Sequence, residues 1–132
     1  MNGSRGLTLG WTLVRVVFGL SLAFAHGLPK VTGDMSRFAQ GVEALGFPYP
    51  LYFAWAAALS ELVGGLLVAL GLFTRLGAFF VACTMGVALY QHRMDAFGRM
   101  ELAVLYLAVF LAAVFIGGGP LSVDAKMRRR PF

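Results

Sequence analysis

The chain has 132 residues and a mass of 14.2 kDa, with 59% hydrophobic residues against 13% charged, far from the usage of a soluble domain. Eleven Lys and Arg against six Asp and Glu leave a formal charge of +5, and with no basic stripe interleaved by aromatics this excess indicates membrane topology rather than nucleic-acid binding. A single cysteine, Cys83, excludes an intramolecular disulfide, a Cys-x-x-Cys redox pair and a zinc knuckle.

The first apolar run, Leu7 to Ala25, is interrupted only by Arg15 and small polar residues and, as a span over about 7–26, comes close to the roughly 20 residues needed to cross hydrocarbon. A cleavable signal peptide beginning at Arg5 is the competing reading. The arginine inside the run, without a convincing small-x-small cleavage site at its end, favours a crossing. Asp34 then caps a short helix, about 35–45, in which Met35, Phe38, Val42 and Leu45 share one face and Ser36, Arg37, Gln40 and Glu43 the other. Such an amphipathic helix lies at the interface, either as a lid over one mouth of a bundle or as a loop anchored to lipid, and Gly46 and Pro48 end it.

The second run, 51–73, contains one charge, Glu61, and Thr74-Arg75 is the turn that makes spans two and three antiparallel neighbours. The third, 75–92, and fourth, 101–119, have strictly apolar stretches of 15 residues each, so they borrow flanking residues, the fourth up to the stop at Gly117-Gly118-Gly119. All four are apolar around most of their circumference. The expected fold is a single all-α membrane domain: a four-helix transmembrane bundle, one interfacial helix and a basic tail over 120–132. An even number of spans puts both termini on the side carrying Arg5, Arg75, Lys126, Arg128, Arg129 and Arg130, against Lys30, Arg37, Arg93 and Arg99 opposite, which predicts cytoplasmic termini. The tail also suits anionic headgroups.

Ionisable groups inside a span are costly unless paired or facing a cavity. Arg15 and Glu61 each sit near the middle of a span, and at similar depth they are expected to pair, directly or through water, either to fix helix register or to floor a ligand cavity. Tyr106, deep in the fourth span, needs a partner for its hydroxyl and is placed with them as a third member of a buried polar centre. Arg15, Gly19, Leu22 and His26 share a face, and Ala57, Glu61, Gly65 and Ala69 form a small-residue seam for close helix approach.

His26 and His92 end spans one and three at the non-cytoplasmic mouth, level with Lys30, Asp95 and Glu101. His26, Lys30, His92 and Glu101 are candidates for the rim of a small-ligand or quinone-head pocket; imidazole and carboxylate would also suit a metal, but the spacing does not define a metal site, and none is assigned. No haem pair is evident. Cys83, within the third span, reads as an inert small hydrophobe. Trp11, Tyr49, Tyr52, Trp55 and Tyr90 fall toward the membrane boundaries.

These residues together resemble the DoxX family of small four-helix bacterial membrane proteins. The resemblance is carried by Arg15-x-x-x-Gly19, His26-Gly27-x-x-Lys30, Gly46-Phe47-Pro48, Glu61-Leu62-x-Gly64-Gly65 and Gly71-Leu72-Phe73-Thr74-Arg75. It continues through Glu101-Leu102-Ala103-x-Leu105-Tyr106 to Gly117-Gly118-Gly119-Pro120-Leu121-Ser122-x-Asp124. The resemblance implies an inner-membrane protein serving a redox or sulfur-oxidising system. In the family that role is the small membrane subunit of a thiosulfate:quinone oxidoreductase, or the anchor of oxidant-defence complexes with a superoxide dismutase and a sulfurtransferase. Redox relatives carry paired cysteines; the lone Cys83 departs from them and argues against a thiol–disulfide relay. No motif binds a cofactor covalently, so redox chemistry would need a quinone from the bilayer or a partner protein, and catalysis by this chain alone is not expected. The competing reading is a non-enzymatic lipid-binding, transport or scaffolding protein that anchors a soluble partner. In either case membrane lipids surround it, and a homodimer through small-residue faces is a further expectation.

Overall fold

The computed structural model describes residues 2–129, and among these the chain is helical with no strand. Helix α1 spans Gly3–Thr32 with a π-turn at Ala23–Gly27, and α2 spans Met35–Ala44. Helix α3 spans Pro50–Leu70 with a second π-turn at Ser60–Gly64. Helices α4, Thr74–Gln91, and α5, Phe97–Ile116, are followed by the short α6, Val123–Arg128. Three of them, α1, α3 and α5, are long and apolar enough to cross a membrane, with mean hydropathy of 1.7, 1.8 and 2.1 in their most apolar stretches. Exposed Leu13, Val17, Phe24, Leu59 and Leu105 give these helices an outer surface suited to hydrocarbon. Arg130 of the predicted basic tail lies outside the described residues.

Element boundaries have local causes, and three depart from expectation. Helix α1 runs past residue 26 to Thr32, because the π-turn widens the backbone just before Pro29, whose ring would otherwise meet the carbonyl four residues back. The turn after α3 is not Thr74-Arg75 but Gly71 to Phe73, with Gly71 at φ 72 and Phe73 at φ 46, and Thr74 and Arg75 open α4. Asp124 dictates this shift: its carboxylate accepts from the Phe73 N–H at 2.8 Å, the Thr74 N–H at 3.0 Å and the Thr74 hydroxyl at 2.8 Å, capping α4 from the far end of the chain. Helix α5 begins at Phe97, ahead of residue 101, and stops at Gly117 with φ 76, a conformation that favours glycine. Asp34 caps α2 as expected, accepting from the Ser36 N–H at 3.1 Å.

In lipid the burial of apolar surface supplies little driving force between helices, so contact quality decides the packing. Helices α4 and α5 pack as an antiparallel pair, while α1 lies along α3, with their π-turns against each other. At that crossing a Cβ on Gly19 would stand 2.6 Å from the Gly65 carbonyl oxygen, and one on Gly27 would collide with the backbone of Leu62. The core between the two pairs is formed by Leu22, Val68, Val81, Met85, Tyr106 and Phe110. Helix α2 folds over one end, burying Met35 and Ala39 against Ala54 and Ala58 of α3 and leaving Ser36, Arg37, Gln40 and Glu43 exposed.

Candidate functional site

Arg15 and Glu61 are both buried, at 1% and 3% exposure, but they do not pair. Glu61, in the π-turn of α3, binds Lys30 through both carboxylate oxygens, with Nζ at 2.8 and 2.7 Å. Arg15 donates instead to the carbonyls of Val68 at 2.7 Å and Ala69 at 2.6 Å from Nη1, and of Leu121 at 2.8 Å from Nη2. Its charge therefore rests against the negative end of the α3 dipole, and its Nε is the buried side-chain nitrogen without a partner among the described residues. The reason is register. Because α1 continues to Thr32, Lys30 rather than Arg15 comes level with Glu61, and the Arg15 contacts fall about 10–12 Å further along α3 at roughly 1.5 Å per residue.

Tyr106 is buried as expected, but it hydrogen-bonds to neither charge among the described residues. Its ring meets Phe18 and His26 edge-on, at centroid distances of 5.8 and 5.6 Å. His26 is only half-buried, because the π-turn rotates the face of Arg15, Gly19 and Leu22 onto Ala23 and Gly27 instead. The expected group of His26, Lys30, His92 and Glu101 is thus divided: Glu101 is exposed on the first turns of α5 and His26 lies on Tyr106, whereas Lys30 and His92 face one cavity.

That cavity, about 600 Å³, lies between α2, α3 and α4. Its walls are largely apolar, with Phe38, Phe47, Phe53 and Phe80 prominent, and its polar groups are few: the Lys30–Glu61 pair, Ser60, Thr84, Gln91 and His92. Ser60 Oγ and Thr84 Oγ1 lie 2.6 Å apart, joining the α3 π-turn to α4. Lys30 Nζ also sits 5.0 Å from the centre of the Phe38 ring, so one ammonium holds both Glu61 and the roof helix α2. At the rim, His92 Nδ1 lies 2.6 Å from Asp95 Oδ2, an arrangement that holds the ring and leaves Nε2 for another partner. Cys83, read from the sequence as an inert hydrophobe, is exposed and lines the same cavity. Among the described residues no three His, Cys, Asp or Glu side chains gather as metal ligands.

Sequence reasoning missed Ser60, Thr84, Gln91 and the phenylalanine walls. Ser60 carries a usable signal, since it is the polar neighbour of an intramembrane glutamate. Phe38 carries a partial one, its place on the apolar face of a helix that could cover a mouth, whereas Phe47 carries none, because its place depends on how the chain returns after α2.

A small all-helical membrane protein with an apolar cleft floored by a buried ion pair is the class these features define. The DoxX family profile matches residues 10–94, and the chain belongs to that family. An uncharacterised protein of Haemophilus influenzae is 33% identical over 113 residues, covering 80% of this chain and 81% of the relative. The Bacillus subtilis protein named "Putative oxidoreductase CatD" is 31% identical over 123 residues, 92% and 89% of the two chains. "Inner membrane protein YphA" of Escherichia coli is 31% identical over 110 residues, 76% and 78%. No solved structure matches the chain significantly.

Proposed function

We propose that this chain is a membrane component of a redox or sulfur-oxidising system, and that the cleft between α2, α3 and α4 receives the head of a quinone or a similar small ligand. The observation that carries the reading is the cleft itself: about 600 Å³ of mainly aromatic and aliphatic wall around a few convergent polar groups, the composition suited to an amphipathic ring. The relative named as an oxidoreductase agrees with this direction. A bound quinone would supply two-electron, two-proton chemistry; the chain's own residues orient and hold protons. Lys30 is fixed by Glu61 and can offer a remaining N–H to a carbonyl, the Ser60 and Thr84 hydroxyls can donate or accept, and His92, steadied by Asp95, can exchange a proton at the rim through Nε2. No electron carrier is built from these residues, so the other half-reaction belongs to a partner, of which a soluble oxidoreductase or sulfurtransferase is the expected kind.

In this reading α4, with 18 residues, is a fourth crossing of the inner membrane, α2 is an amphipathic interfacial helix that roofs the cleft, and both termini are cytoplasmic. Terminal reporter fusions test the topology: activity of a cytoplasm-dependent reporter at both ends is expected. The chain in lipid nanodiscs should bind a ubiquinone or menaquinone analogue saturably, and Glu61→Gln or His92→Ala should weaken binding about tenfold, the equivalent of roughly one charged hydrogen bond. Absence of saturable binding across several quinones would leave the second reading, an anchoring protein without ligand chemistry. That alternative draws on the partners the bundle itself supplies, three carbonyls for the Arg15 Nη atoms and Lys30 for Glu61.

A further inference from the structure

A second hollow, about 900 Å³, opens at the opposite end of the helices, where α4 begins, α5 ends and α6 crosses below them. Arg75, Arg128 and Arg129 line it; all three are exposed, and none forms an ion pair with another described residue. The carboxylate in the same wall, Asp124, already accepts from the Phe73 and Thr74 N–H groups and the Thr74 hydroxyl, so its oxygens are committed to capping α4. Arg75 crosses Gly117 so closely that a Cβ there would stand 3.2 Å from its Nε. Beside these charges the surface turns apolar at once: Phe73, Leu76 and Ile116 are 56%, 57% and 53% exposed at the ends of α4 and α5.

Three guanidinium groups next to exposed apolar side chains, at the level where helices leave the hydrocarbon, match one kind of ligand in both its parts. Guanidinium forks bind phosphate in two-point contacts, and Leu76 and Ile116 offer the adjoining surface along which an acyl chain can run. A soluble phosphate would satisfy the arginines and leave the apolar flank unused. We propose that this hollow binds an anionic phospholipid of the phosphatidylglycerol type, its phosphate held by Arg75, Arg128 and Arg129.

Native mass spectrometry of the full chain, offered equal phosphatidylglycerol and phosphatidylcholine in mild detergent, tests the site. Retention of phosphatidylglycerol over phosphatidylcholine is expected, falling about fivefold for each arginine replaced in Arg75→Gln, Arg128→Gln and Arg129→Gln, alone and combined. Arg93→Gln, at the other end of α4, should leave the preference unchanged, and circular dichroism of each variant establishes that the helices persist. Equal retention of the two lipids, or a triple variant that binds as the parent does, overturns the proposal. Displacement of the lipid by millimolar inorganic phosphate overturns it too, by identifying a site for soluble anions.

Discussion

Glu61 and Lys30 illustrate how a charge is kept inside a membrane protein. The carboxylate is almost wholly buried while the ammonium is 30% exposed, so the pair sits at the boundary between core and cleft. Removing one partner leaves the other desolvated without compensation, whereas removing both is much less costly. Glu61→Gln should therefore lower stability by about 1–3 kcal/mol in denaturant titration, and a Lys30→Met, Glu61→Gln double variant should recover part of the loss. Arg15 differs in kind, because its partners are three carbonyls and no side-chain carboxylate. A lysine cannot reproduce the fork that spans Val68, Ala69 and Leu121, so Arg15→Lys should cost about 2–4 kcal/mol despite keeping the charge. Asp124 supplies a pH dependence. Burial raises its pKa, but the Thr74 N–H and hydroxyl, the Phe73 N–H and the nearby Arg128 outweigh burial and hold it below the ordinary carboxylate value. A pKa lower in the folded chain than in the unfolded one gives stability that is complete above the ordinary range, about 3.9, and lost as pH falls through it toward the folded value. Melting temperature should drop over that acid window, and the drop should be shallower in Asp124→Asn.

At the scale of the elements, the paired π-turns of α1 and α3 organise the site. Each inserts one extra residue per turn, and together they bring Gly27 onto Leu62 and leave Glu61 and Ser60 turned toward the cleft. Gly27→Ala should open this crossing and cost about 1–3 kcal/mol, because the obstacle is backbone. Gly86→Ala in α4, where a Cβ meets nothing within 4 Å, should be neutral or stabilising by up to about 1 kcal/mol, so the two melting curves should move apart. Local chemistry made several elements legible in the sequence: the Asp34 cap, the Gly117 stop and the approximate extents of α2, α3 and α4 follow from residues within a few positions. The π-turns were not legible, since a regular 3.6-residue period cannot signal its own interruption. The Arg15–Glu61 pairing failed for this reason and because the early end assigned to α1 hid Lys30 from the membrane interior. The α4 start was hidden by distance, its cap coming from Asp124 some fifty residues away.

For the whole molecule, composition and hydropathy were sufficient to establish a small helical membrane protein, and the ordered motifs were sufficient to identify DoxX membership, which the family profile bears out. Which candidate residues share a cavity was legible only in part: Lys30 and His92 were grouped by their level, but Glu61 joins them through the register of α1 against α3, and His26 and Glu101 are excluded by helix rotation and length. The molecule has two chemically different ends: a roofed, mainly aromatic cleft at the His92 end and an arginine-lined hollow at the Arg75 end. This polarity suits a component that meets a lipid-soluble ligand on one side and anionic lipid on the other. The cleft is the central claim, and photolabelling of the protein in nanodiscs with an azidoquinone, followed by peptide mass spectrometry, tests it most directly. Label concentrated on α2 and on residues 80–92, from the second half of α4 to His92 just after it, and suppressed by excess unmodified quinone, is the predicted result. Label spread over the lipid-facing side chains of α1 and α5, with no protection by competitor, would contradict it.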